Sequence, residues 1–172
     1  MPDAVTTFQR VVRQLAHDWQ KTGLPSRQVL DQAADALVEK RRQLSASGIW
    51  KDHGPVMVTA TLDDGLGQGL SIIEKFAEAI GVRIIRQGLM QSAGAVMDAC
   101  RCHQPDYLGM TVLQFDTEEE LADISRALPE KTRIVAGGPV FNADPEFAGR
   151  AGVHYSARNV ADFLLFMLET AI

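Results

Sequence analysis

The chain has 172 residues, 46% of them hydrophobic and 23% charged, with a net charge of −5. That describes one globular domain with room for an accessory segment, and it excludes a disordered chain. The acidic balance argues against a nucleic-acid binder that works by neutralising phosphates. No apolar run reaches the ~18 residues a membrane helix needs. The opening MPDAVTTFQR is not a signal-peptide pattern, so a cytoplasmic protein is expected.

Residues 3 to 22 carry Val5, Phe8, Val11, Val12, Leu15 and Trp19 at helical spacing, and Gly23, Leu24 and Pro25 stop the helix. Ser26 is placed to cap a second helix, whose apolar stripe runs from Val29 to Leu44 and ends before Ser45 to Gly48. This predicts a helical hairpin over 1–50, set before an α/β domain over 55–172. Two amphipathic helices do not bury their faces alone, so the hairpin must pack on the domain, on a second chain or over a ligand. Ile49 to Gly54 reads as a linker, and His53 within it as a solvated histidine.

Val56 to Leu62 is a short apolar run rich in β-branched residues, which suits a buried strand. Asp63, Asp64, Gly65, Gly67 and Gly69 follow at once, then a helical pattern from Leu70 to Ile80. Strand, glycine-rich turn and helix open a doubly wound α/β domain, in which ligands sit outside the carboxyl ends of the strands. Glycines allow positive φ and close approach of a ligand to the backbone. A tight turn with no ligand is the plain alternative.

Further strands are expected at Val82 to Arg86, Tyr107 to Leu113, Thr132 to Ala136 and Val153 to Tyr155. Helices are expected from Ser92 to His103, from a Thr117 cap to Leu128, from Pro145 to Ala151 and from Val160 to Thr170. Cys100, Cys102 and His103 lie at a helix end, without the spacing or the partner pair of a zinc or haem site. The alternation implies a five-stranded parallel sheet, flavodoxin-like, in the order 2-1-3-4-5. Its switch point would bring Asp64 to Gly69, Thr111 to Gln114 and Gly137-Gly138 to one rim.

No nucleophile with an adjacent base is visible on that rim. The glycines do not match the dinucleotide fingerprint, and the Gly-Lys-Ser/Thr of a phosphate loop is absent. Asp63-Asp64 resembles the acidic pair of a phosphorylated receiver domain, but the Asp and Lys expected after strands three and four are missing. The rim reads as built to accept a ligand.

Pro55 to Glu169 resembles the cobalamin-binding domain of methionine synthase, the mutases and the small corrinoid proteins of methyltransferase systems. The family's Asp-x-His-x-x-Gly falls on Asp64-Gly65-Leu66-Gly67-Gln68-Gly69, its Ser-x-Leu on Thr111-Val112-Leu113, and its Gly-Gly on Gly137-Gly138. His103 to Asp106 is similar to the usual entry to the third strand. The resemblance implies that Asp64, Gly65, Leu66, Gly69, Thr111, Leu113, Gly137 and Gly138, with Pro139 and Tyr155, bind the cofactor. Small residues would leave a slot for its nucleotide tail.

Leu66 stands where the family's cobalt-ligating histidine belongs, and leucine cannot ligate cobalt. Three readings stay open: cobalamin bound without a protein ligand below the metal, another tetrapyrrole such as haem, or a scaffold that binds no cofactor. The resemblance further implies a methyl carrier or cofactor sensor with no catalysis of its own, a methyltransferase or regulator as partner, and a helical cap whose two helices could pair in a homodimer.

Overall fold

Helix α1 (Ala4–Thr22) starts at Asp3, whose carboxylate accepts the Thr6 N–H at 2.6 Å. Its buried residues Phe8, Val12, Ala16 and Trp19 follow the four-and-three spacing of one helix face. Gly23, at φ 84°, ends it, a conformation that favours glycine. Helix α2 (Arg27–Gln43) starts at Ser26, whose hydroxyl accepts the Val29 N–H at 3.4 Å. The expected hairpin is therefore present, with both stop signals where the sequence puts them.

The computed structural model describes residues 1–172, and its contacts divide them into two units. The first contains 1–55, 72–83 and 159–172; the second contains 56–71 and 84–158. Helix α3 (Gln68–Ile80) begins in the second unit and ends in the first.

In the first unit α1 packs on the last helix, α8 (Val160–Thr170), which is buried along most of its length. Trp19 meets the edge of Phe76 at 5.6 Å between ring centroids. Ile49 is fully buried, its N–H donates to the Ile80 carbonyl at 2.9 Å, and its carbonyl accepts from the Gln9 side chain at 2.7 Å. A Cβ on Gly54 would lie 1.9 Å from the Gly81 carbonyl oxygen. The expected linker is therefore irregular in backbone but docked against the end of α3. Only its tip, Lys51 to His53, is exposed.

The second unit holds the parallel sheet in the expected order, β2-β1-β3-β4-β5. Its strands are β1 (Val56–Thr61), β2 (Arg83–Gly88), β3 (Tyr107–Thr111), β4 (Arg133–Gly137) and β5 (Tyr155–Ser156). β1 and β3 are buried along nearly their whole length, which is why they read as continuous apolar runs. Val58, Leu108 and Ile134 share a core with Val96 and Cys100 of α4 (Ala93–His103) and Leu121 and Ile124 of α5 (Glu118–Ala127).

Three local expectations change. Thr117 does not cap α5 with its side chain. Its hydroxyl donates to the Gln114 carbonyl at 3.0 Å and closes a single 3-10 turn, Phe115–Thr117. A short helix, α6 (Pro139–Ala143), follows Gly138 with proline in its first turn, a favoured place because that turn has no partner for a proline N–H. The next helix, α7, is Phe147–Ala151, and β5 begins two residues later than expected. The delay follows from His154, whose backbone N–H and ring Nδ1 both bond Ile134 of β4 before the paired strand begins.

Candidate ligand-binding rim

The register of the sheet builds the rim. Thr61 pairs with Thr111, and Thr111 with Gly137, so β1, β3 and β4 end level with one another. Side chains join the loop that leaves β1 to the end of β3 and the loop after it. Asp64 is 5% exposed. Its Oδ1 accepts the N–H groups of Leu66 at 2.8 Å and Gly67 at 2.9 Å, and its Oδ2 lies 3.4 Å from the Thr111 hydroxyl. A buried carboxylate needs such donors. Asp64 thus fixes the turn between β1 and α3 and ties it to β3.

Asp63 makes a second tie. It accepts the Leu113 N–H at 3.1 Å and the Gln114 N–H at 2.9 Å. Thr61 makes a third. Its hydroxyl, fully buried, donates to the Asp64 carbonyl at 2.6 Å and accepts the Met90 N–H at 3.0 Å. Met90 sits at φ 52°, a left-handed backbone that a bulky residue adopts only where its surroundings hold it there. Neither Thr61 nor Met90 stands out in the sequence. The Asp63-Asp64 doublet, and an apolar Leu89-Met90 pair straight after Gly88, were the available signals.

The glycine pair has a packing reason of its own. Gly138 has φ 129°, and a Cβ there would lie 2.0 Å from the Val112 carbonyl oxygen. The Val112 N–H donates to the Gly137 carbonyl at 2.8 Å, so the chain leaving β4 is pressed against the chain leaving β3. Gly69 and Gly65 are looser. A Cβ at Gly69 would touch only the Thr111 methyl at 3.5 Å, and one at Gly65 only Met90 Cγ at 3.8 Å.

The residues expected on the rim from Asp64 to Gly69, with Thr111, Leu113, Gly137 and Gly138, are brought together. Pro139 opens α6 behind them. Tyr155 is not level with this row, because it pairs with Val135 on the edge strand, two residues before Gly137.

The rim exposes several large apolar side chains among polar ones such as Gln68, Gln114 and Asp116. Leu66 is 80% exposed, Met90 61% and Phe115 51%, with Leu89 and Leu113 exposed beside them. Single exposed apolar residues are ordinary. Here five of them lie in the loops after β1, β2 and β3.

Histidine is not part of this surface. His17 lies on α1, His53 on the docked linker and His103 in the last turn of α4. His154 Nδ1 accepts the Ile134 N–H at 2.9 Å, and burial, with Arg133 nearby, holds its pKa below the ordinary value. No group of three or more His, Cys, Asp or Glu side chains is placed to hold a metal ion.

A level row of parallel strand ends in the order β2-β1-β3-β4-β5, with helices before and between the strands, defines a flavodoxin-like α/β domain. Solved structures with this fold include a cobalamin-binding protein from Desulfitobacterium hafniense DCB-2, with a TM-score of 0.78 at 18% identity over 96% of this chain and 80% of that one. The monomethylamine corrinoid protein of Methanosarcina barkeri gives 0.62 at 16% identity, over 80% of this chain and 63% of that one. The methanol:cobalamin methyltransferase complex MtaBC from the same organism gives 0.64 at 17% identity, over 98% and 68%. No protein-family model and no curated protein sequence matches the chain. The structural neighbours are thus cobalamin-binding and corrinoid proteins, and the likeness is one of fold.

Proposed function

We propose that the chain binds a corrinoid on this rim, without a histidine ligand from the protein, and acts as a methyl carrier for a methyltransferase partner. The carrying observation is the exposed apolar cluster of Leu66, Leu89, Met90, Leu113 and Phe115 at the carboxyl edge of the sheet. A corrin ring offers a wide apolar face, and burying both surfaces stabilises by about 25 cal/mol per Å². The cobalamin-binding neighbours, one of them solved in a methyltransferase complex, support that choice of ligand and partner.

The residues present fit such a group in part. Leu66 would pack against the ring and leave the metal to the cofactor's own base or to water. Asp64, which in the resembling family tunes the ligating histidine, has its carboxylate engaged by the turn and by Thr111. Gly65 and Gly69 leave room near the ring. When bound, the corrinoid would supply the site that carries the methyl group.

The test mixes the protein with hydroxocobalamin, methylcobalamin or haemin, desalts it and records the absorption spectrum. Retained corrinoid that keeps its own base on cobalt is the expected result. Leu66→Glu should lower retention several-fold at unchanged thermal stability, because Leu66 is exposed. Leu66→His should shift the spectrum of the bound corrinoid. Retention of haemin alone would move the reading to a haem sensor. Retention of neither would leave a scaffold and overturn the proposal.

A further inference from the structure

The helical hairpin carries a surface that the rim does not use. Between α1 and α2 lies an open groove of about 640 Å³. Its floor is Val11 and Leu15 from α1 and Ala33, Ala36 and Leu37 from α2. On α2 the stripe continues outward to Val29, which is 45% exposed. At 100° per residue, Val29, Ala33, Ala36 and Lys40 fall on one narrow face of the helix. That face is distinct from the one that buries Leu30, Ala34 and Leu37.

The charges in the groove are segregated. One end holds Arg10 and Lys40, neither with an ion-pair partner in the chain. The other holds Asp18, whose carboxylate meets only the neutral amide of Gln14 at 2.8 Å. Arg10 and Asp18 are eight residues apart on α1, about 12 Å along the axis. Gln14 lies midway.

We propose that this groove pairs with the same groove of a second copy, in a two-fold arrangement that sets Asp18 of each chain against Arg10 and Lys40 of the other. A two-fold axis at the level of Gln14 turns the groove end for end, so a surface basic at one end and acidic at the other becomes complementary to itself. Ala33 and Ala36 have small side chains, which permits the close helix approach of ~8–10 Å seen in packed bundles. Two hairpins joined in this way form four helices around one apolar seam. A foreign helix would need to bring an acid for one end and a base for the other, and this chain already carries both. The inference does not rest on corrinoid binding.

Sedimentation velocity of the full chain over a wide concentration range tests it. A species with the mass of two chains is expected at the upper end. Asp18→Arg should raise the dissociation constant tenfold or more, and so should Ala36→Glu, which places a carboxylate on the floor at a helix-tolerant exposed site. Combining Asp18→Arg with Arg10→Asp and Lys40→Asp should restore the dimer, because the segregation is only reversed. A chain that stays monomeric throughout overturns the proposal, as does a dimer indifferent to both single changes. Failure of the triple variant to recover the dimer refutes the charge pairing. Corrinoid retention measured on the same samples reports the rim separately and should be unchanged.

Discussion

Thr61→Val replaces a fully buried hydroxyl with a methyl of nearly the same size. Packing is preserved, and two hydrogen bonds are lost: the one donated to the Asp64 carbonyl at 2.6 Å and the one accepted from the Met90 N–H at 3.0 Å. Leaving a buried polar group without a partner costs about 1–3 kcal/mol. The Asp64 carbonyl carries most of that, since Asp64 is buried, while Met90 stands in an exposed loop where its N–H can reach water. The expected loss is about 2 kcal/mol, which lowers the melting temperature of a chain this long by ~4–8 °C. Thr61→Ser keeps the hydroxyl and should lose about 1 kcal/mol for the missing methyl. Calorimetry on the three proteins measures the ranking, and amide exchange at Met90 and Gln91 reads the local effect, which should be faster in the valine variant alone. A valine variant as stable as the parent would refute the reasoning. So would a serine variant as damaged as the valine one, because packing rather than the hydroxyl would then hold the loops.

Gly138→Ala forces an alanine to φ 129° and its Cβ toward the Val112 carbonyl oxygen, and should destabilise by about 3 kcal/mol or more in urea unfolding. At Gly69 the same change meets only an ordinary contact and should be nearly neutral. Cys102 is exposed and should be alkylated at mildly alkaline pH. Cys100 is buried, and burial pushes its thiol up to about 11, so it should react only after unfolding, as intact-mass spectrometry would show. The folded pKa of His154 lies below its unfolded value, so neutral imidazole is favoured in the fold. Its contribution should be complete above the unfolded pKa of about 6.5 and lost as pH falls through the lower folded value. A melting-temperature profile against pH should therefore be flatter in that range for His154→Gln.

Much of the rim was legible because its signals are local. The β-branched run before Asp63, the glycines after it and the Gly137-Gly138 pair each follow from a few neighbouring residues. The same holds for the Ser26 cap and for the alternation of strands with helices, which implied a parallel sheet. Side-chain partnerships were not legible in this way. Thr117 looked like a cap from sequence because a threonine before three glutamates is one of the preferred cap patterns. In the folded chain its hydroxyl has a nearer acceptor in the Gln114 carbonyl.

The sequence by itself determined the element order, the parallel sheet and the loops that gather at its carboxyl edge, since these depend on periodicity and turn chemistry. Only the tertiary structure decided what those loops do to one another. Asp63 reaches Leu113 and Gln114 across fifty residues of chain, and Thr61 reaches Met90 across twenty-nine. Such bonds depend on strand register, which pairs Thr61 with Thr111 and Thr111 with Gly137. Register is set by the packing of the whole sheet, as is the exposure of Leu66, Met90 and Phe115, which would suit a buried core equally well by residue type.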